Sequence, residues 1–152
     1  MVMHESMAIV EYFEEVYPHL PNKLLPADPF KRWQVRCVCE KINCIAQPLA
    51  NLGVLQEVEA RFGKEARMPW GKHFDEKSMN GIEALVAQTH GKFCVGDEIT
   101  LADVFLLPQL YRVARFELDV KSWPVTNEIA ERLADFEFVK KAHCDAQIDA
   151  VL

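Results

Sequence analysis

Three short segments of this 152-residue sequence carry side chains that can bind a small polar ligand. Glu5 and Ser6 stand at a predicted helix start, where free backbone N–H groups and the helix dipole favour an anion. The polar residues Gln47 and Asn51 surround a predicted helix break. Arg115 offers a planar guanidinium that can bind a carboxylate through two parallel hydrogen bonds. Of these features, the helix start at Ser6 and the Arg115 guanidinium are the ones that favour an anionic ligand.

Each of these residues also has a purely structural explanation. Ser6 can serve as an ordinary helix cap, and Asn51 can be a local turn residue. Gln47 can simply be a polar residue before a proline, and a cation such as Arg115 is favoured near a helix C-terminus. These alternatives stay open on residue types alone. Arg112, one turn earlier, replaces Arg115 as the candidate carboxylate ligand if Arg115 forms an internal salt bridge.

The stretch Cys94–Gln109 (CVGDEITLADVFLLPQ) predicts a well-capped apolar helix. Thr100 can cap the first turn, and Asp103 can reach back to the Thr100 N–H as a short-armed capping box. Pro108 lies inside the helical run, where proline costs about 3 kcal/mol in an exposed helix. Tertiary packing must therefore hold this segment, which predicts a buried central helix.

The rest of the chain also predicts helices, which prolines separate. A first helix runs from Ser6 to about Val16, and a proline-rich linker follows it. Asp28 caps the next helix, which Pro48 should kink or interrupt. Gly91 should stop the helix before the central one. The residues predicted to face inward from their helices are Trp33, Cys37, Val38, Ile42, Ile45, Leu52, Leu55, Val58, Phe62, Ile82, Leu85, Val86, Thr89, Ile129, Leu133 and Phe136.

Composition limits the classes of partner. The formal net charge of −6 disfavours nucleic acid and anionic membranes, because phosphate binding needs a basic face. No apolar run approaches the roughly 20 residues that span a bilayer. The five cysteines are odd in number and include no C-x-x-C pair, so no metal site is predicted. Cys37 and Cys44 should share a buried helix face while Cys39 points elsewhere, and a reduced, cytoplasmic protein is expected.

Three blocks of sequence carry a family resemblance. The capped stretch Cys94–Gln109, with the following RFELDV, resembles the central helix of the glutathione transferase C-terminal domain, whose capping motif is Ser/Thr-x-x-Asp. The amino-acid sequence of this stretch is similar to that of the zeta class, also known as maleylacetoacetate isomerase. The block QPLANL from Gln47 resembles the zeta pattern QPLxNL, and HESMAIVEY from His4 resembles ESLAIIEYL. The resemblance covers nearly the whole chain.

The resemblance implies an all-α fold, a glutathione transferase C-terminal-like helical bundle, over residues 28–152. Residues 1–17 would be a remnant of the family's thioredoxin-like domain, with Val2–Met3 as a strand end, and residues 18–27 a linker. Family members use a serine of that domain to steady the glutathione thiolate. Most of the thioredoxin-like domain is expected to be missing here, and no Ser-Ser-Cys motif occurs.

The resemblance also implies roles for individual residues. Ser6 would donate to the γ-glutamyl carboxylate of glutathione, and Glu5 would face its ammonium group. Arg115 would bind a carboxylate of a dicarboxylate substrate such as maleylacetoacetate, and no catalytic residue is assigned. The remaining glutathione-binding residues implied by the family are Gln47, Asn51, Leu52 and Gly53.

The implied reaction is glutathione-dependent cis–trans isomerisation of maleylacetoacetate to fumarylacetoacetate, a step of aromatic amino acid catabolism, or glutathione conjugation. Without the thiol-activating domain the chain alone is expected to be inactive. The apolar residues of the first helix wrap more of it than one stripe can bury, so we expect a homodimer, a helix-swapped dimer, or completion by another polypeptide. The alternative function is a non-catalytic helical binding or assembly module.

Overall fold

The computed structural model describes residues 2–21 and 23–150, and within these residues the protein is all-α. The predicted fold class is confirmed. Short 3₁₀ turns and a π-helical segment, Ile42–Ala46, connect or interrupt the α-helices. The α-helices are α1 (Ser6–Val16), α2 (Pro29–Lys41), α3 (Gln47–Leu49), α4 (Leu52–Phe62), α5 (Arg67–Thr89), α6 (Leu101–Arg115), α7 (Pro124–Ala134) and α8 (Glu137–Ala142).

Helix α6 is the central helix of the core, as predicted. Its residues Leu101, Leu106 and Val113 are fully buried, and α2, α5 and α7 pack around it. The Asp103 carboxylate accepts hydrogen bonds from the Thr100 N–H (2.8 Å), the Thr100 hydroxyl (3.0 Å) and the Cys94 N–H (2.9 Å). This buried carboxylate joins the start of α6 to the loop before it. None of the helices within the described ranges has the length and apolar character needed to cross a bilayer.

The helix that begins at Pro29 is interrupted close to Pro48, as predicted. The Asp28 side chain caps its start by accepting from the Lys31 N–H at 2.8 Å. Near its end the chain widens into the π-helical segment, passes through the short α3 and breaks at Ala50. Proline has no N–H to donate, so the α-helical hydrogen-bond pattern cannot continue through it.

The predicted buried stripe of α2 is partly wrong. Trp33 and Ile45 are 56% and 45% exposed, whereas Val35 is fully buried. A stripe of Val35, Val38, Cys39 and Ile42 follows the 3.6-residue period of one face. The π-helical segment then adds an extra residue per turn, so the helical phase used to place Ile45 inward no longer applies.

The cysteine positions are reversed relative to the prediction. Cys39 is buried, Cys37 is half-buried and Cys44 is exposed, because Cys39 lies on the Val35–Ile42 face. Burial raises the pKa of the Cys39 thiol to about 12, and burial followed by the charge of Asp103 raises the pKa of Cys94 far above its usual range. A buried, protonated thiol is a poor nucleophile.

This burial predicts a labelling pattern. Iodoacetamide at pH 8 should modify the exposed Cys44 and Cys144 in the native protein and leave Cys39 and Cys94 unmodified, as read by peptide mass spectrometry. The hydrogen bond to Glu40 raises the pKa of Cys44, so Glu40→Gln should accelerate its labelling. Rapid native-state modification of Cys39 or Cys94 would contradict this packing.

Several further expectations differ from the structure. Leu52 and Phe62, at the two ends of α4, are more than 60% exposed, because only Leu55 and Val58 between them reach the core. Helix α5 ends at Thr89, two residues before Gly91. Val2 and Met3 belong to no strand, and the part of the chain described contains no strand beside which they could pair. Residue 1 and the tail residues 151–152 lie outside the described range.

Candidate functional site

The N-terminus of α1 is open to solvent. Ser6 is the first helical residue and Glu5 precedes it, so Ser6 is not the N-cap that its sequence position suggested. Neither side chain caps the helix, and the early N–H groups of α1 stay available to an anion. Glu5 has a positive φ of 66°, a conformation that costs a non-glycine residue free energy. Both Glu5 and Ser6 are exposed.

A second segment lies between α3 and α4. Asn51 caps α4, with its Oδ1 accepting from the Val54 N–H at 2.9 Å, so the structural explanation for Asn51 holds. The residue itself is exposed. Leu52 is 61% exposed, and a Cβ at Gly53 would meet only Asn51 Oδ1, at 3.6 Å. Asn51, Leu52 and Gly53 are therefore exposed, whereas Gln47 is half-buried and Ala50 is buried.

Two side chains from other helices fix the backbone at the start of this segment through three hydrogen bonds. The Trp70 indole N–H donates to the Leu49 carbonyl at 2.8 Å. The Arg112 guanidinium donates to the Gln47 carbonyl at 3.1 Å and to the Ala46 carbonyl at 3.0 Å. Gln47 is thereby held against α6, with its side chain half-buried.

Arg115 is the last residue of α6 and is exposed. The turn after it closes with the Glu117 N–H donating to Ala114 and the Leu118 N–H to Val113, at 2.9 and 3.4 Å, as in a Schellman motif. Glu117 takes the left-handed position with a φ of 55°.

The aromatic ring of Phe116, directly after α6, packs where Gly71 of α5 has no side chain; a Cβ there would clash with the ring. This contact, like the Schellman turn, fixes the position of the last turn of α6.

Arg112 forms the internal salt bridge of this region. It pairs with Asp75 of α5, whose side chain is fully buried, while its own side chain is 20% exposed. Gln109 donates to the same Asp75 oxygen at 3.4 Å. Burial raises the pKa of Asp75, and the positive charge of Arg112 opposes that rise. Arg115, in contrast, forms no ion pair within residues 2–21 and 23–150. Arg112 was to replace Arg115 as the candidate carboxylate ligand only if Arg115 formed an internal salt bridge, so Arg115 remains the candidate.

The structure therefore brings some of the predicted site residues together. Gln47, Asn51, Leu52 and Gly53 lie on one short segment, and the Arg112 contacts join the start of this segment to the last turns of α6, where Arg115 lies. Glu5 and Ser6 lie on α1, which is held to α2 by the ion pair of Glu11 and Arg36 at 2.7 Å. No hydrogen bond joins Glu5 or Ser6 to the Gln47–Gly53 surface within the described part of the chain.

Two other features are separate from these residues. A cleft of about 420 Å³ between α1, the linker and α2 is lined by charged side chains that include Glu11, Glu14 and Arg36, and by none of the predicted site residues. On the turn after α8, the ligand atoms of the exposed consecutive residues His143, Cys144 and Asp145 lie within 4.8 Å of one another and could hold a cation.

The Asp75–Arg112 pair was not predicted from the sequence. A signal was present, since Asp75 lies seven residues before Ile82 and therefore on the same predicted inward face of α5. A carboxylate at such a position needs a buried partner. Gln109 and Arg112, three residues apart on α6, supply it, but nothing in the local sequence identifies a partner 37 residues away.

Comparison with known proteins gives consistent matches. The family described as glutathione S-transferase, C-terminal domain, matches residues 75–136. The "Probable maleylacetoacetate isomerase" of Caenorhabditis elegans is 41% identical over 99% of this chain and 69% of its own length. The maleylacetoacetate isomerase of Rattus norvegicus is 40% identical over 95% of this chain, which spans 64% of the rat protein.

Solved structures agree with these matches. A maleylacetoacetate isomerase from Anaeromyxobacter dehalogenans, with dicarboxyethyl glutathione and citrate bound in its active site, superposes with a TM-score of 0.94 at 35% identity. That alignment covers 100% of this chain and 69% of the bacterial one. A bacterial zeta-class maleyl pyruvate isomerase superposes with a TM-score of 0.92 at 31% identity, over 99% of this chain and 72% of its own.

Proposed function

This chain belongs to the zeta-class glutathione S-transferase family, which includes the maleylacetoacetate isomerases, and from that premise we propose that it forms the helical wall of a glutathione-dependent cis–trans isomerase site. The observation that carries the proposal is the segment from Gln47 to Gly53, which is exposed at Asn51, Leu52 and Gly53 and is held against the end of α6 through Arg112. Exposed amide and backbone groups on a rigid support suit a peptide ligand such as glutathione.

In this proposal the γ-glutamyl end of glutathione binds at the start of α1. Ser6 donates to the carboxylate, where the free N–H groups of the helix also favour a negative charge, and Glu5 faces the ammonium group. A charge-assisted hydrogen bond of this kind contributes about 1.5–3 kcal/mol. Gln47 and Asn51, with the neighbouring Leu52 and Gly53, contact the tripeptide from the other side.

Arg115 is proposed to bind the substrate carboxylate. It is exposed, has no internal acidic partner among the described residues, and sits at the helix end nearest the Gln47 surface. A guanidinium binds a carboxylate through two parallel hydrogen bonds, which selects substrates that carry a carboxylate group. The active site of the bacterial relative holds dicarboxyethyl glutathione and citrate, both of which are polycarboxylates.

In the proposed chemistry, glutathione thiolate adds to an activated double bond, forming a C–S bond while the π electron pair moves onto the conjugated carbonyl as an enolate. The adduct rotates about the resulting single bond, and the enolate then expels the thiolate, which re-forms the double bond as the trans isomer. A free thiol with a pKa near 8.5 is only about 3% ionised at pH 7. The three serines of these 152 residues are Ser6, Ser78 and Ser122, and none lies in a Ser-Ser-Cys motif. We therefore propose that the thiol-activating group comes from residues outside this sequence, and that these residues alone turn over little substrate.

A second candidate function is a helical assembly module, and the exposed face of α1 favours it. Tyr12, Phe13, Val16 and Tyr17 are each more than 40% exposed and lie on neighbouring turns. A contiguous apolar surface of this kind marks an interface. In the enzyme proposal the same surface is covered by a second copy, a swapped helix or another polypeptide, so the two functions differ in whether glutathione binds.

The test is a titration of the ¹⁵N-labelled chain, followed by NMR, with glutathione and separately with dicarboxyethyl glutathione. Glutathione should bind with a millimolar Kd and shift the amides of Ser6, Gln47 and Asn51. The extra carboxylates should tighten binding about tenfold, corresponding to about 1.4 kcal/mol. Arg115→Ala should remove that advantage without changing the glutathione Kd.

Arg61→Ala is the matched control, because Arg61 is an exposed arginine on another helix. This variant should change neither the Kd of glutathione nor the Kd of dicarboxyethyl glutathione. An isomerase assay run on the same samples should show no turnover above the glutathione background. Micromolar binding with turnover would contradict the need for an outside activating group. Absence of shifts at millimolar glutathione would contradict the proposed site and favour the assembly module.

A further inference from the structure

The Ala46 carbonyl lacks its α-helical partner, because the Ala50 N–H donates instead to the Gln47 carbonyl, at 3.3 Å. The Gln47 carbonyl accepts this bond and has a second lone pair for a further donor. Helix ends leave such carbonyls to be satisfied by other groups. Here the satisfying group is the Arg112 guanidinium, whose two terminal nitrogens donate to Ala46 and Gln47 at 3.0 and 3.1 Å.

The orientation of Arg112 is itself fixed. Asp75, fully buried on α5, pairs with the nitrogen that also contacts Ala46, and Gln109 donates to the same carboxylate oxygen. Arg112 therefore connects α5 and α6 to the break after the π-helical segment. The guanidinium is planar and its donors have fixed directions, so it sets the orientation of two successive peptide groups in a way that a lysine ammonium cannot.

From these contacts we infer that Arg112, oriented by Asp75, is a positioning residue for Gln47 in the glutathione site. The inference rests on the proposed function and adds a residue pair that does not touch the ligand. Arg112 donates to the Gln47 carbonyl, which is bonded to the Cα atom from which the Gln47 side chain extends. A change in that peptide plane would redirect the Gln47 amide away from the bound tripeptide, which costs affinity without removing a contact atom.

Two substitutions test the inference. Arg112→Lys keeps the charge but loses the paired donors, and Asp75→Asn keeps the shape but releases the guanidinium. Amide hydrogen exchange at Ala50, followed by NMR, reports the Ala50–Gln47 bond directly. We expect exchange at Ala50 to rise about tenfold in Arg112→Lys and about threefold in Asp75→Asn, with a comparable rise in the glutathione Kd.

Glu83→Gln is the matched control. Glu83 lies on α5 like Asp75, and its carboxylate accepts from the N–H groups of Val125 and Thr126 at 2.8 and 2.9 Å. This variant should accelerate exchange at the start of α7 and leave Ala50 exchange and the glutathione Kd within twofold of wild type. That contrast separates positioning of Gln47 from a general loss of stability.

The outcomes separate the inference from the proposed function. Unchanged Ala50 exchange in both Arg112→Lys and Asp75→Asn overturns the inference, as does faster Ala50 exchange with an unchanged glutathione Kd. The inference is also overturned if Glu83→Gln accelerates amide exchange at Ala50 as much as Arg112→Lys and Asp75→Asn do. If the wild-type chain shows no glutathione-dependent shift at Gln47, the proposed function fails, while Ala50 exchange still decides whether Arg112 holds the Gln47 backbone.

Discussion

Replacing Asp103 with alanine is expected to lower the free energy of unfolding by about 3–4 kcal/mol. The loss of a helix cap accounts for about 1 kcal/mol of this effect. The remainder arises because the Asp103 carboxylate also accepts from the Cys94 N–H, so its removal leaves two buried backbone donors without an acceptor. Urea unfolding followed by circular dichroism measures the change through the midpoint at a constant slope.

Asp28→Ala is the matched control for this prediction. Asp28 caps α2 through a single exposed hydrogen bond to the Lys31 N–H, and nothing buried depends on it. Its loss should cost about 1 kcal/mol. Equal destabilisation by the two substitutions would mean that the buried link to Cys94 contributes nothing beyond ordinary capping.

Arg112→Met is expected to destabilise the protein by about 3–5 kcal/mol near pH 7, because it leaves the Asp75 carboxylate buried without its cation. The methionine fills most of the same volume, so lost packing adds little. The double variant Asp75→Asn, Arg112→Met should recover at least half of this loss, since neither buried charge remains. Urea unfolding of the four proteins forms a double-mutant cycle that isolates the pair.

The Arg112→Met substitution should also make the free energy of unfolding depend on pH. Burial already raises the pKa of Asp75 in the folded protein, and removal of Arg112 takes away the charge that opposes this rise. A carboxyl group whose folded pKa exceeds its unfolded value of about 3.9 favours folding at low pH, and the contribution is lost as pH rises through the folded pKa. Arg112→Met should therefore be closer to wild type at pH 4.5 than at pH 7.5. A constant difference between these pH values would contradict the assignment.

The elements that the sequence predicted well are those specified by local chemistry. Thr100 and Asp103 define the start of α6 because their hydrogen bonds involve neighbouring residues, and Asp28 with Pro29 defines the start of α2 for the same reason. The buried stripe of α2 was predicted less well. Trp33 and Cys37 lie before the π-helical segment, and they were misplaced because the buried face of α2 contains Val35 and Cys39 instead. Ile45 was misplaced because the π-helical segment changes the residue period.

In the candidate site, too, the sequence indicated individual residues but not the long-range contacts that hold them. The sequence resemblance to the family suggested Gln47 and Arg115 as site residues. In the structure, Arg112 holds the Gln47 segment against α6. The residues that hold Gln47 in place are 28 and 65 positions away along the chain, at Asp75 and Arg112. Contacts over such separations depend on how α2, α5 and α6 pack, and periodicity within one helix carries no information about them.

The missing side chain at Gly71 constrains the end of α6. Phe116 fills that space directly after Arg115, so even a methyl group at position 71 would push the ring and shift the last turn of α6. If Arg115 binds the substrate carboxylate as proposed, a small substitution at position 71 of α5 would displace the guanidinium and change which dicarboxylates bind, although position 71 is far from Arg115 along the chain.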